Sequence, residues 1–355
     1  MSGVGTSENA GARCRRRSGA VGAAGCLVAA TALLLAGCSS SGGSGGNGGG
    51  SGSGTPSTFA AALAEIPSTG WDGSYFEFGD ISQVNELNKA AGGSALFAYT
   101  TVGASQLDES GQAMDGSLGF DLLSVSAAVT VGQLPHSAMV LYGSFNASTV
   151  GTKLAALGFK NHGSADGGTL WAIGDNDQPS EQNPTGDPSL NVLDVSSDRI
   201  VLGGSTAEVE AIAAPATKSL ATSAKLAALA NCLGSAKAGL IGPAYAADAQ
   251  DSTYVGVGLV DSSGAAASEE LCVTASSTSA ASAIEANWTR RIEHGTVVSL
   301  NEPWSKLLTN PQATVTSSSP IVVRLSAQPA SGAKVGALID DYESPYVDFS
   351  NLINQ

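Results

Sequence analysis

A nearly pure glycine and serine tract, residues 39–57, divides this chain of 355 residues and most constrains what it can fold into. Side chains this small bury almost no apolar surface, so the tract cannot offset the conformational entropy that folding would cost. It is typical of a flexible linker with an r.m.s. reach of about 20–25 Å. A folded body must therefore come from residues 58–355, which suffice for one large core or two modest ones.

The segment before this tract has the layout of an export signal. Four arginines, ending at Arg17, precede an uncharged and mostly apolar run from Ala20 to Gly37, and Cys38 follows directly. A positive start, an apolar run and small residues at its end indicate a secretory signal that is removed from the mature chain. Two alternatives stay open. One is an uncleaved membrane helix, for which 18 residues lie near the lower limit; the other is a twin-arginine export signal.

The four residues Leu35-Ala36-Gly37-Cys38 resemble the lipobox of a bacterial lipoprotein signal at every position. This resemblance implies a diacylglyceryl thioether on Cys38, cleavage before it, and acylation of the new amino terminus, with palmitate among the acyl groups. Residues 1–37 are then the signal peptide, and 38–57 are the lipidated cysteine with its linker. Because two or three acyl chains anchor a protein durably, we expect it on the outer face of the cytoplasmic membrane.

The charge balance makes such an anchor necessary for membrane attachment. The signal segment holds four of the 16 basic and one of the 31 acidic residues, so the mature chain carries 12 and 30, a net charge of -18. Anionic headgroups repel this surface within a Debye length of about 8 Å. The same charge excludes nucleic acid as a partner. We therefore expect the lipid on Cys38 to make the membrane contact.

Two cysteines, Cys232 and Cys272, remain in the mature body. Outside the cytoplasm an even pair of thiols predicts one disulfide. At a separation of 40 residues it would stabilise the fold by about 4 kcal/mol. Two free buried thiols and a redox pair are the alternatives, although the spacing is not Cys-x-x-Cys.

Candidate strands and helices alternate irregularly through the body and predict an α+β fold. A strand–helix–strand–hairpin–helix pattern runs over 139–212 and again over 271–339. We therefore expect two related units, 58–246 and 247–355, each an antiparallel sheet with helices packed on one face. Apolar and β-branched residues also predict a strand over 95–102, and a closing helix is predicted over 333–339.

A second resemblance involves the body itself. The residues concerned are Gly119-Phe120-Asp121, Pro135, the segment 140–145, Val150, Leu154 and Gly158-Phe159. Together they are similar to a pattern in uncharacterised cell-envelope lipoproteins of high-GC Gram-positive bacteria. This resemblance implies a cell-envelope location. It implies no activity and transfers no functional residue.

One motif suggests catalysis. The residues Gly203-Gly204-Ser205-Thr206-Ala207 follow a predicted strand and open a helix, as the nucleophile elbow of a hydrolase does, and His294 lies downstream. However, the elbow needs glycine where Ala207 stands. Ser205 and Glu208 also form a capping box, which explains the serine without catalysis.

Other candidate sites are weaker. Asp175-Asn176-Asp177 begins like a calcium loop, but Gly186 stands where an EF-hand has its bidentate glutamate. His136, His162 and His294 lack partners at ligand spacing, so we expect neither metal nor cofactor. Tryptophans 71, 171, 288 and 304 are expected in the core, with stacking on cell-wall sugars as the alternative.

These observations predict a lipid-anchored envelope protein that serves as a non-catalytic binding or interaction module. The partner is expected to be a protein, a cell-wall component or a lipid. One alternative is a carrier that encloses a hydrophobic ligand in an apolar cavity. A second is an extracytoplasmic serine hydrolase that uses Ser205.

Overall fold

The computed structural model describes residues 54–71, 75–93, 95–107, 116–121, 124–133, 136–164, 167–174, 188–215, 217–244, 254–260, 267–297, 300–316 and 319–343. The helices are α1 (Phe59–Glu65), α2 (Ile81–Ala90), α3 (Ala147–Ala156), α4 (Thr206–Ala213), α5 (Ala224–Leu233), α6 (Thr278–His294) and α7 (Ala337–Glu343).

The first seven strands are β1 (Phe76–Gly79), β2 (Val125–Gln133), β3 (His136–Gly143), β4 (Lys160–Asn161), β5 (Thr169–Ala172), β6 (Val192–Val195) and β7 (Arg199–Gly203). The next seven are β8 (Ala238–Pro243), β9 (Tyr254–Val260), β10 (Ser268–Ala275), β11 (Thr296–Val297), β12 (Glu302–Pro303), β13 (Leu308–Val315) and β14 (Ile321–Pro329).

Local sequence explains where most helices begin. Five of them start after a side chain that accepts a hydrogen bond from the backbone N–H three residues on. These capping residues are Thr58, Asp80, Asn146, Ser205 and Ser277. For α4, the capping residue Ser205 agrees with the sequence prediction.

Twelve strands form one antiparallel sheet in the order β13-β14-β10-β9-β8-β1-β2-β3-β7-β6-β5-β4. β11 and β12 form a separate two-stranded sheet. The predicted α+β class is confirmed: antiparallel strands carry helices that connect or follow them. The predicted unit boundary at 246/247 falls within 245–253, outside the described residues.

The strand order contains a repeat with approximate two-fold symmetry. Outward from the central antiparallel pair β1–β8, one half runs β1-β2-β3-β7-β6 and the other runs β8-β9-β10-β14-β13. Each half is preceded by a helix, α1 or α5, and has a further helix, α3 or α6, after its third strand. We call α1 to α4 with β1 to β7 the first repeat, and α5 to α7 with β8 to β14 the second repeat.

Helices cover both faces of the sheet. Face A, which includes Phe76, Val140 and Cys272, packs against α1, α4 and α5. Face B, which includes Leu141 and Leu271, packs against α2, α3, α6 and α7. We expected helices on one face of each unit; a sheet with apolar side chains on both faces must be covered on both.

Sequence reasoning did not identify β8 and β9. On face A, these strands have glycines at positions where a buried strand usually has larger apolar side chains. A Cβ added at Gly256 would lie 3.1 Å from Leu233. One added at Gly258 would lie 3.0 Å from Ala236. These glycines let α5 pack directly on the strands, and they also remove the alternating apolar pattern that would predict a strand.

Two predicted elements were wrong. Residues 97–99 form a 3-10 turn instead of a strand, and the buried Tyr99 of this turn donates its hydroxyl to Glu269. The closing helix lies at Ala337–Glu343 instead of 333–339. Gly336 precedes it with φ +132°, a conformation that suits glycine.

Candidate functional site

Glu269 of β10 joins face B to the start of α7. Its side chain is fully buried. Oε1 accepts hydrogen bonds from the backbone N–H groups of Gly336, at 3.0 Å, and Ala337, at 3.1 Å. Oε2 accepts from the N–H of Leu338, at 2.8 Å, and from the hydroxyl of Tyr99, at 3.2 Å. Burial raises the pKa of Glu269, and these hydrogen bonds oppose that rise.

Glu77 of β1 fixes the loop that follows α2 in a similar way. Oε1 accepts from the hydroxyls of Tyr75, at 2.6 Å, and Ser105, at 2.8 Å. Oε2 accepts from the N–H of Gly103 at 2.9 Å. Burial raises the pKa of Glu77, again against these hydrogen bonds. The Tyr75 ring also stacks on Tyr342 of α7, 6.3 Å between centroids, so the two networks meet beside α7.

A cavity of about 450 Å³ lies between the start of α7 and the segment from β11 to β13, and we call it the α7 groove. Its apolar lining comes from five side chains: Val297, Leu300, Leu307, Val335 and Ala337. Val297 and Val335 are buried, whereas Leu300 is 58% exposed and lies on the rim. Such an apolar lining with few polar groups is typical of small-molecule sites.

Three charged residues complete the α7 groove: Lys334, Asp340 and Asp341. Asp341 is only 4% exposed. Lys334 and Asp340 are exposed. Although Asp340 is exposed as a residue, desolvation of its carboxyl group by the neighbouring side chains raises its pKa, and the charge of Lys334 opposes this. The groove therefore has an apolar floor, and its accessible charges are the opposite pair Lys334 and Asp340, because the carboxylate oxygens of Asp341 are enclosed.

A second cavity, about 500 Å³, lies on face A between α5 and the hairpin β13–β14, and we call it the α5 groove. Small side chains of α5, including Ala224 and Ala228, face Thr314 and Thr316 across it. Arg324 also lines this groove. Its Nε donates to Oε2 of Glu270 at 3.0 Å. The α5 groove is thus more polar than the α7 groove.

The predicted lipidation residue, Cys38, lies outside the described residues. The predicted pair Cys232 and Cys272 forms a disulfide, with Cα atoms 6.1 Å apart. This separation is usual for disulfides. The bond ties α5 to β10 on face A.

Ser205 occupies the position of a helix cap. Its backbone is extended, with φ -135°, and its Oγ accepts from the N–H of Glu208 at 3.3 Å. A nucleophile elbow instead presents its serine on a strained turn. His294 ends α6 on the other side of the sheet, 75% of its side chain is exposed, and its Nε2 lies 3.7 Å from Glu293. The structure does not bring Ser205 and His294 together.

The remaining sequence candidates lie at the surface or in the core. His136 is largely exposed, with Nδ1 3.5 Å from Glu208. Tryptophans 71, 288 and 304 are buried, as predicted, and Trp171 is half-buried. The loop that begins at Asp175 lies outside the described residues. Over the part of the chain that the structure describes, no group of three or more His, Cys, Asp or Glu side chains could hold a metal ion.

Sequence reasoning missed Glu77, Glu269 and the α7 groove. A signal was present for both glutamates, because each lies within an apolar strand where a charge is costly unless it is hydrogen-bonded. The groove had no such signal. It is lined by Val297, Leu300 and Leu307 and by residues around the start of α7, and only the folded chain brings them together.

Comparisons with known proteins identify no relative: no family model, curated protein or solved structure matches the chain. Within the described ranges, no helix has the length and apolar character needed to span a membrane. The fold and the site therefore define the class of this protein only as an α+β protein with a pseudo-symmetric antiparallel sheet and two grooves.

Proposed function

We propose that this chain is a lipoprotein, anchored through Cys38 to the outer face of the cytoplasmic membrane, whose folded body binds a ligand or partner without catalysis. The observation that carries the proposal is the four-residue lipobox at 35–38, after an uncharged apolar run and before a flexible linker. The disulfide Cys232–Cys272 supports it, because structural disulfides are common outside the cytoplasm and rare within it.

The binding role rests on the two grooves and on the role of Ser205. Ser205 is a helix cap, which accounts for the one catalytic motif in the sequence without chemistry. The α7 groove favours the second candidate function, a carrier of an apolar ligand. At about 450 Å³ it lies at the small end of the usual range for ligand pockets, about 300–1,000 Å³.

The anchor is tested by replacing the proposed lipidation residue. Cys38→Ala should abolish acylation and should either release the protein from the membrane fraction or leave an unprocessed precursor. Cys26→Ala is the matched control, since it removes a thiol from the same apolar run without touching the lipobox, and it should behave as the wild type. Unchanged acylation and fractionation of Cys38→Ala would refute the proposal.

A further inference from the structure

The twelve-stranded sheet ends at β13, and the outer edge of this strand is open. Within the described residues, β13 pairs with β14 alone, and the strand at the opposite end of the sheet, β4, has only two residues. Gln312, Thr314 and Val315 of β13 are exposed. An open edge presents backbone N–H and C=O groups to which another strand can pair. The outer edge of β13 is therefore a candidate interaction surface.

The register of β13 determines which of its backbone groups point outward. Thr316, the residue after β13, donates its backbone N–H to the carbonyl of Val322 at 2.9 Å. Hydrogen-bonded and non-hydrogen-bonded pairs alternate along an antiparallel ladder. Thr314 therefore also bonds to β14, whereas Ala313 and Val315 direct their N–H and C=O groups away from the sheet. Two donors and two acceptors are thus available at this edge.

The start of β13 is less suited to pairing. Its register with β14 shifts between Thr309 and Gln312. Within this irregularity Asn310 has φ +51°, and Pro311 has no N–H group to donate. Bulges and prolines of this kind protect edges from indefinite strand addition. The stretch that remains open, residues 312–316, suits one short partner strand.

The charge of this edge favours a second copy of the chain as that partner. β13 contains no charged residue, although the mature chain carries 30 acidic and 12 basic residues. The one charged residue of β14, Arg324, donates to Glu270 within the same copy. Two copies with a net charge of -18 repel each other least where their uncharged surfaces meet. The proposed lipid anchor would also confine copies to one membrane and raise their effective concentration.

The open stretch is complementary to itself in one register. An antiparallel pair centred on Thr314 places Ala313 of each copy opposite Val315 of the other. Each of these two pairs exchanges two hydrogen bonds, so all four outward donors and acceptors are satisfied. Centring the pair on Ala313 instead would place Val315 opposite Pro311, which has no N–H. The register centred on Thr314 therefore uses this edge best.

The symmetry of this pairing is compatible with anchoring in one membrane. Two antiparallel strands of identical sequence are related by a two-fold axis normal to the sheet, which gives a closed dimer. This axis places face A of both copies on the same side. α1 follows the linker in the chain and packs on face A. The linkers of both copies would therefore reach the sheet from the same side.

We propose that two copies of this chain pair through the outer edges of β13, in the antiparallel register centred on Thr314, and form a dimer with one continuous sheet. The inference names a second copy as a partner in the proposed binding function, and it rests on that function for the effect of the anchor on local concentration. An extended segment of a different protein is the other possible occupant, and the test distinguishes the two.

Cysteine substitution at the two-fold axis tests the register directly. In Thr314→Cys the two Cα atoms at position 314 should lie about 4.5 Å apart, as in a non-hydrogen-bonded pair, which a disulfide can span. Val315→Cys is the matched control on the same strand. Its two Cα atoms should lie about 8 Å apart, two residues out of register, beyond the limit of about 7 Å for a disulfide.

Both variants are made in the full chain and oxidised with copper phenanthroline in the membrane fraction of the cells that produce it. Non-reducing electrophoresis measures dimer formation, and peptide mapping by mass spectrometry identifies the linked positions. Thr314→Cys should form the dimer about tenfold faster than Val315→Cys, through a bond between position 314 of both copies. Equal rates, no bond at position 314, or a bond from position 314 to a different protein would overturn the proposal.

A second substitution tests whether backbone pairing brings the two copies together. Val315→Pro removes an outward N–H and leaves the bonds from β13 to β14, and sheets tolerate proline on edge strands. Combined with Thr314→Cys, it should slow dimer formation several-fold, whereas Val315→Ala keeps the N–H and should not. The disulfide Cys232–Cys272, seen in the same peptide map, reports that each variant has folded. An unchanged rate in the folded Val315→Pro variant would contradict pairing between the strands.

This outcome is distinguishable from that of the anchor test. A chain that lacks lipid on Cys38 but forms the bond at position 314 retains the dimer and loses the proposed location. A correctly acylated chain that forms no bond at position 314 retains the location and loses the dimer.

Discussion

The first repeat ends with α4 on face A, whereas the second ends with α7 on face B, although the strands of both follow the same order. α4 begins at a local cap, in which Ser205 accepts from the N–H of Glu208. α7 begins at a buried carboxylate, Glu269, which lies 67 residues before Gly336 in the chain. A short-range interaction thus fixes the start of α4, and a long-range interaction fixes the start of α7.

This difference accounts for both grooves. Because α7 packs on face B, no helix within the described residues follows the hairpin β13–β14 on face A, and the α5 groove lies beside this hairpin. Because α7 joins face B, it forms the α7 groove with the segment from β11 to β13. The departure from symmetry therefore creates the surfaces that a symmetric repeat would have filled.

The largest loss of stability is expected from removal of the disulfide, which belongs to the second repeat. The double variant Cys232→Ser/Cys272→Ser should lose about 4 kcal/mol of unfolding free energy, because a closed loop of 40 residues no longer constrains the unfolded chain. Urea unfolding measures the loss. Reduction of the wild type should reproduce it, and equal midpoints for oxidised and reduced protein would contradict it.

The next largest loss of stability is expected from replacing Glu269, the buried carboxylate that binds the start of α7. Glu269→Gln should cost about 2–3 kcal/mol, because it removes charge-assisted hydrogen bonds and leaves buried N–H groups poorly satisfied. Amide hydrogen exchange should accelerate in α7 and leave α4 protected. Glu86→Gln serves as the exposed control. Wild-type exchange rates in α7 would show that Glu269 does not hold this helix.

The local cap of α4 should matter less. Ser205→Ala should cost about 1 kcal/mol, while Ser205→Asp keeps a capping oxygen and should be nearly neutral. Thermal or urea unfolding of the two variants measures the difference. If Ser205→Asp kept full stability but abolished a hydrolytic activity of the wild type, Ser205 would be a nucleophile as well as a cap.

The smallest effect is a dependence of stability on pH. Burial raises the pKa values of Glu77 and Glu269 above the ordinary 4.5. Just above pH 4.5 the folded state therefore retains protons that the unfolded chain has lost, so stability should fall as pH rises through the folded pKa values. Urea midpoints across this range should show the decline, and the slope should be smaller in Glu269→Gln. An equal slope in both proteins would remove Glu269 from the explanation.

Local patterns in the sequence were sufficient for much of the first repeat. β2, β3 and the hairpin β6–β7 are rich in apolar or β-branched residues, and Ser205 caps α4 as predicted. The disulfide was also predicted, from the cysteine count and the expected location outside the cytoplasm, and the structure contains it. The strands and the helix cap depend on residues that are close together in the chain. The disulfide could be predicted because Cys232 and Cys272 are the two cysteines that follow Cys38.

The second repeat and the site depend on contacts between distant residues. β8 and β9 form strands although they contain glycines. The glycines are needed because α5 and the residues that follow it pack closely against these strands. The start of α7 depends on Glu269, and the 3-10 turn at 97–99, where a strand was expected, contacts the same carboxylate through Tyr99. Such interactions have no signature at short spacing, so neither groove could be predicted.

The most direct test of the central claim is the intact mass of the mature polypeptide purified from its own cells, with sequencing of its amino-terminal peptide by tandem mass spectrometry. We predict a chain that begins at Cys38, carries a diacylglyceryl thioether and an acylated amino terminus, and separates with the membrane fraction. A soluble chain that begins at Met1 with an unmodified Cys38 would contradict the anchor, the location and the proposed function together.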